Sequence, residues 1–136
     1  MVQADLIAKL KATTSLTSVL PSGTYSIKEY EWQGDEFQYP NVRFDLEDNR
    51  YELDEQEKCQ LQNIEFSIYI YSEQRTSKEC SQIKGVIATA LIGLGFTGTY
   101  AKYTRLRLME NIPAVRVEER VFRSQLKLTT FVQNLG

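Results

Sequence analysis

Apolar and polar residues alternate without a break from Gln62 to Tyr71. Ile64, Phe66, Ile68 and Ile70 fall on one side; Asn63, Glu65, Ser67, Tyr69 and Tyr71 fall on the other. Successive side chains of a strand point to opposite faces, so this stretch predicts a strand with one buried face and one wet or partner-facing face. After Ser72-Glu73-Gln74-Arg75 the period becomes helical. Cys80, Ile83, Ile87, Ala90, Leu91 and Leu94 follow the spacing of a single apolar stripe and predict an amphipathic helix from Lys78 to Leu94. Thr76 and Glu79 have capping-box spacing at its start, and Gly93 and Gly95 are stop signals at its end. A half-apolar strand and a half-apolar helix joined by a short turn most simply bury their faces against each other.

The rest of the chain is organised around this pair. A first helix is predicted over 3–12, with Ala4, Leu6, Ile7 and Leu10 inward and Asp5, Lys9 and Lys11 outward. A short helical piece, Leu16 to Leu20, ends at Pro21-Ser22-Gly23. Thr24 to Trp32 alternates with one slip and predicts a strand with a bulge, followed by a loop at 33–36. Pro40 lacks an N–H, so it belongs at the start of the strand carrying Val42, Phe44 and Leu46. An acidic connection over 45–57 reads as a long hairpin loop turning near Asp48-Asn49-Arg50. Tyr100 to Met109 is a strand with Leu106 and Leu108 opposite Arg105 and Arg107. Glu110-Asn111-Ile112-Pro113 reads as a break, Ala114 to Val121 as part strand or irregular arm, and Gln125 to Val132 as the last strand. Short connections between neighbouring strands favour antiparallel pairing. The expected fold is therefore α+β: a two-layer, mostly antiparallel sheet with two helices packed on one face, in one domain over 1–136.

Composition narrows the function classes. The hydrophobic share of 42% in 136 residues implies a modest core and much surface. Tyrosine, with 8 copies against 1 Trp, suits interfaces as well as cores. No apolar run of about 20 residues exists, so no membrane-spanning helix is expected. The first residues lack a basic-then-apolar signal pattern, so the chain is expected to stay in a cytosol, where Cys59 and Cys80 would be small buried hydrophobes and not a disulfide.

The chain has no histidine, which removes Ser/His/Asp and Cys/His catalysis and the commonest metal ligand. Gly93-Leu94-Gly95 ends a helix, whereas a phosphate loop begins one. The acidic connection lacks the ligand spacing and central glycine of a calcium loop. No catalytic residue, metal site or cofactor is expected. Arg105, Arg107, Arg116, Arg120, Arg123 and Lys127, beside Tyr100, Tyr103 and Phe122, could form a basic stripe, and Phe66, Tyr69 and Tyr71 a stacking platform for nucleic acid. Glu65-Phe66-Ser67-Ile68-Tyr69 does not match the RNA-recognition strand motif, and the pI of about 5.3 opposes a dedicated binder.

Charge is divided along the chain. Residues 1–72 carry 6 Lys+Arg and 13 Asp+Glu; residues 73–136 carry 10 and 5. Such a subunit attracts another copy head to tail. The residues expected at that contact are Glu47, Asp48, Glu52, Asp54, Glu55 and Glu57 on one side and Arg105, Arg107, Arg116, Arg120 and Arg123 on the other.

The layout resembles a known family. The opening Leu6-Ile7-Ala8-Lys9-Leu10 helix is followed by Ser15-Leu16-Thr17-Ser18-Val19-Leu20-Pro21-Ser22-Gly23-Thr24-Tyr25. Phe37-Gln38-Tyr39-Pro40-Asn41-Val42 starts a strand, and Ile64 to Ser72 passes into the Lys78–Leu94 helix. An arginine-broken strand pair ends in Leu126-Lys127-Leu128-Thr129-Thr130-Phe131-Val132. Together these resemble the tail-terminator, or tail-completion, proteins of tailed bacteriophages. The resemblance implies a two-layer subunit in a hexameric ring that caps the tail tube within the virion and joins the neck of the head. Its partners would be the tail tube protein, a sheath protein if the tail contracts, and the connector proteins, with genomic DNA passing through the bore. Before assembly it would sit in the host cytoplasm. A neighbouring connector or head-closure ring, and a small nucleic-acid-binding domain, remain as the other readings. The 47–57 connection is longer than the resemblance leads one to expect.

Overall fold

The computed structural model describes residues 2–21, 23–30, 39–46, 62–73 and 76–134. Helix α1 (Val2–Lys11) and a single-turn α2 (Thr14–Thr17) lead into a 3-10 turn at Gly23–Ser26. Strands β1 (Ile27–Glu29), β2 (Asn41–Leu46) and β3 (Gln62–Glu73) follow, then helix α3 (Lys78–Leu91). Strands β4 (Phe96–Thr97), β5 (Ala101–Tyr103), β6 (Arg107–Glu118) and β7 (Val121–Asn134) complete the fold. The seven strands among the described residues form one sheet in the order β1-β2-β3-β7-β5-β4, with β6 also paired to β7. Every pairing is antiparallel except β1 with β2. The fold is α+β, as the patterning implies.

The long pair β3–β7 is the spine, in register from Gln62↔Val132 to Glu73↔Val121. Directly opposed residues share a face, so Phe66 meets Leu128 and Ile68 meets Leu126, with Phe44 and Val42 of β2 alongside. This face is buried. Phe44 and Phe66 pack with ring centroids 5.3 Å apart. The stripe Cys80, Ile83, Ile87 and Leu91 of α3 and Leu6 and Leu10 of α1 join the same core. Each large apolar side chain so buried contributes about 1.5–3 kcal/mol. Cys80 lies 3.2 Å from both the Ile70 carbonyl and Ser124 Oγ, tying α3 to the spine. Burial raises its thiol pKa, with the Ser124 hydrogen bond opposing. The structure thus agrees with the prediction of Cys80 as a buried thiol; Cys59 and the acidic 47–57 connection lie outside the described residues.

Several expectations are corrected. Of the stretch read as a strand from Thr24 to Trp32, the described residues 24–30 hold a 3-10 turn and three strand residues, and β1 runs parallel to β2; residues 31–36 lie outside the described residues. Asp5, expected outward, is buried, and Ala4, expected inward, is exposed. Helix α3 stops at Leu91; Gly93 takes a left-handed conformation (φ 86°), and Leu94 is 55% exposed instead of extending the stripe. The capping box does not form, because Ser77 and not Thr76 is the N-cap; Thr76 Oγ1 accepts the Lys78 N–H at 3.4 Å instead. The predicted Tyr100–Met109 strand splits into β5 and β6, since Thr104 leaves the ladder to bridge β7 through its backbone and hydroxyl. The predicted break at Glu110–Pro113 is continuous strand. Pro113 sits in an edge strand at a register shift between Ile112 and Val115, where its missing N–H costs no ladder bond.

Candidate interaction surface

The second face of the sheet carries the other half of the alternation. Its rows follow from the register: Asn41, Tyr71, Arg123 and Val115; then Arg43, Tyr69, Gln125 and Ile112; then Asp45, Ser67, Lys127 and Glu110. Polar neighbours link across strands. Gln125 Nε2 donates to Ser67 Oγ at 2.9 Å, and Thr129 Oγ1 to Asn63 Oδ1 at 2.6 Å. Lys127 and Glu65 form a loose ion pair at 4.0 Å.

Arginines and aromatic rings interleave on this face. The Arg43 guanidinium lies 5.4 Å from the Tyr71 ring centroid, and Arg123 lies 5.7 Å from that of Tyr69. Arg107 lies 5.4 Å from that of Phe131. Tyr30 packs on Tyr69 at 4.9 Å, and its carbonyl accepts from Arg43 Nη1 at 3.3 Å. The three arginine–ring distances are within the reach of cation–π attraction. Burial raises the Tyr71 phenol pKa, and the nearby Arg123 guanidinium works against that shift.

Of the arginines expected at a contact, the structure brings Arg107 and Arg123 onto this one face. Arg116 opposes Phe122 on the other face, and Arg120 occupies the two-residue turn between β6 and β7. Arg105 lies beside Gly93, at the end of α3. The five do not form a single stripe. The stacking platform is corrected too: Phe66 is buried in the core, leaving Tyr69 and Tyr71 on the open face, and Tyr103, expected beside the basic stripe, is buried as well. Arg43 and Tyr30 were missed, because β2 meets β3 through a long-range register that the sequence pattern does not display. Edge strand β6 adds exposed Val115 to this face, while exposed Leu108 opposes Leu128 on the other.

Among the described residues no group of three or more His, Cys, Asp or Glu side chains is placed to hold a metal. No described helix is long and apolar enough to cross a membrane.

No protein-family model matches the chain, and no curated protein sequence matches it. The fold does have solved counterparts. One is a chain of a structure described as the virion of a native gene transfer agent particle. The two share 16% identity and superpose with a TM-score of 0.72 over 96% of this chain and 93% of that one. Near-complete coverage in both directions makes this a likeness of the whole fold, not of a shared fragment.

Proposed function

We propose that the protein is a structural component of a phage-like virion and acts by assembly, not by catalysis. One observation carries this reading: almost the entire fold coincides with a chain of a gene transfer agent virion. The surface is consistent with it. A sheet face rich in tyrosine and arginine has the composition of a protein contact, since these residues are enriched at interfaces and dominate binding energy where they are buried.

In the finer form of the proposal, six copies close into a ring that terminates the tail tube and joins it to the neck. A subunit whose acidic and basic residues are separated along the chain makes heterologous contacts, and such contacts generate rings when the rotation closes. The acidic residues Glu47, Asp48, Glu52, Asp54, Glu55 and Glu57 would face the arginine-bearing surface of the next copy. The tail tube, a sheath where there is one, and the connector would be its other neighbours, with DNA crossing the bore without sequence-specific contacts.

Quantitative mass spectrometry of purified particles tests the reading. The proposal expects the chain at a small fixed copy number per particle, retained through density-gradient purification. Absence from purified particles would overturn it.

A further inference from the structure

Resting on that reading of a repeated subunit, we propose that Arg107 and Arg123, supported by Arg43, form the docking site for carboxylates of a second copy of this chain. The three guanidiniums lie over Phe131, Tyr69 and Tyr71 on one sheet face. A guanidinium held over a ring keeps donors to spare beyond a single hydrogen bond, such as the one Arg123 makes to Tyr71, and its planar fork matches a carboxylate bidentately. Neither Arg107 nor Arg123 has an ion-pair partner among the described residues. Two cations therefore stand ready for an anion that no described residue of their own subunit supplies as an ion pair.

The composition of the face selects the kind of anion. Asp45, Glu65 and Glu110 are interleaved with the cations. A continuous phosphate backbone laid across the sheet would meet these carboxylates as well, whereas discrete carboxylates of a folded surface need meet only the arginines. The chain itself offers such carboxylates in excess: residues 1–72 carry 13 Asp+Glu against 6 Lys+Arg. Charge complementarity thus points to another copy. Among the described residues Arg105, Arg116 and Arg120 have neither a ring contact nor a place on the shared face, and they are not part of the site.

Sedimentation velocity of the purified full chain across protein concentration, at low and at moderate salt, tests this. Wild type is expected to self-associate at low salt and to dissociate as salt screens the contact. Arg107→Gln with Arg123→Gln is expected to weaken association by about tenfold or more, equivalent to about 1.4 kcal/mol. Arg116→Gln with Arg120→Gln is expected to leave it unchanged. Arg107→Gln alone, at an exposed position, keeps the test decisive if the double variant does not fold. Replacing both residues with lysine keeps the charge but not the flat fork, and is expected to weaken association too. Wild type that stays monomeric at every salt and concentration, or association unaffected by the glutamine pair, overturns the site. Neither result touches the virion reading, which stands or falls on the presence of the chain in particles.

Discussion

The carboxylate of Asp5 on α1 accepts the Tyr103 hydroxyl at 2.9 Å, across 98 positions of sequence. The same carboxylate accepts the backbone N–H groups of Thr99, Tyr100 and Ala101 at 2.8, 3.0 and 3.2 Å. One buried side chain thereby satisfies the turn between β4 and β5 and pins the first helix to the far end of the sheet. A Cβ on Gly98 would collide with that carboxylate, which is why the turn has glycine there.

Asp5→Ala should cost about 3 kcal/mol, because it strands several donors away from water as well as deleting charge-assisted bonds. Gly98→Ala should cost about 1–3 kcal/mol through overpacking. In the double variant the costs should be less than additive, since alanine at position 5 removes the atoms that the new methyl meets. Urea denaturation of the four proteins measures this cycle; strict additivity would contradict the geometry.

Arg120 holds a left-handed backbone conformation, φ 81°, in the turn that reverses β6 into β7. A side chain there costs roughly 1 kcal/mol that glycine avoids. Arg120→Gly should therefore raise the thermal midpoint and leave self-association intact. A lowered midpoint would mean that the arginine makes a stabilising contact.

Cys80 is buried between Ile70 and Ser124, and its thiol pKa is raised by that burial. The folded state therefore favours the neutral thiol. The associated stability is fully present below the unfolded cysteine pKa of about 8.5 and is lost as pH rises through the higher folded value. Alkylation of Cys80 at pH 8, followed by peptide mass spectrometry, should be slow in buffer and fast in denaturant. Equal rates would show the thiol to be accessible.

Reversing Glu52, Asp54 and Glu55 together to lysine should lower incorporation into particles while the melting temperature stays within a few degrees of wild type. Wild-type particle yield from that variant would remove the charge-docking account of the acidic residues.

The parts of this fold that were legible in sequence are those where local periodicity and burial coincide. Strand β3 and helix α3 owe their assignment to alternation and to the Cys80, Ile83, Ile87 and Leu91 stripe, and both are buried along those positions. Asp5 was misjudged because its partners lie beyond residue 98, where no spacing rule reaches. Pro113 suggested an interruption because the pattern does not say which strand lies at an edge. The Arg43–Tyr71 and Arg123–Tyr69 contacts depend on the register of three strands, so sequence could nominate Arg123, Tyr69 and Tyr71 but neither Arg43 nor which arginine meets which ring.

An electron cryomicroscopy map of the intact particle addresses the central proposal most directly. The account predicts density for this fold repeated around the tail axis, as a ring at the junction of tail tube and neck, with the Arg107–Arg123 face against an adjacent copy. A particle whose junction is fully accounted for by other chains, with this fold nowhere in its structural shells, would contradict it.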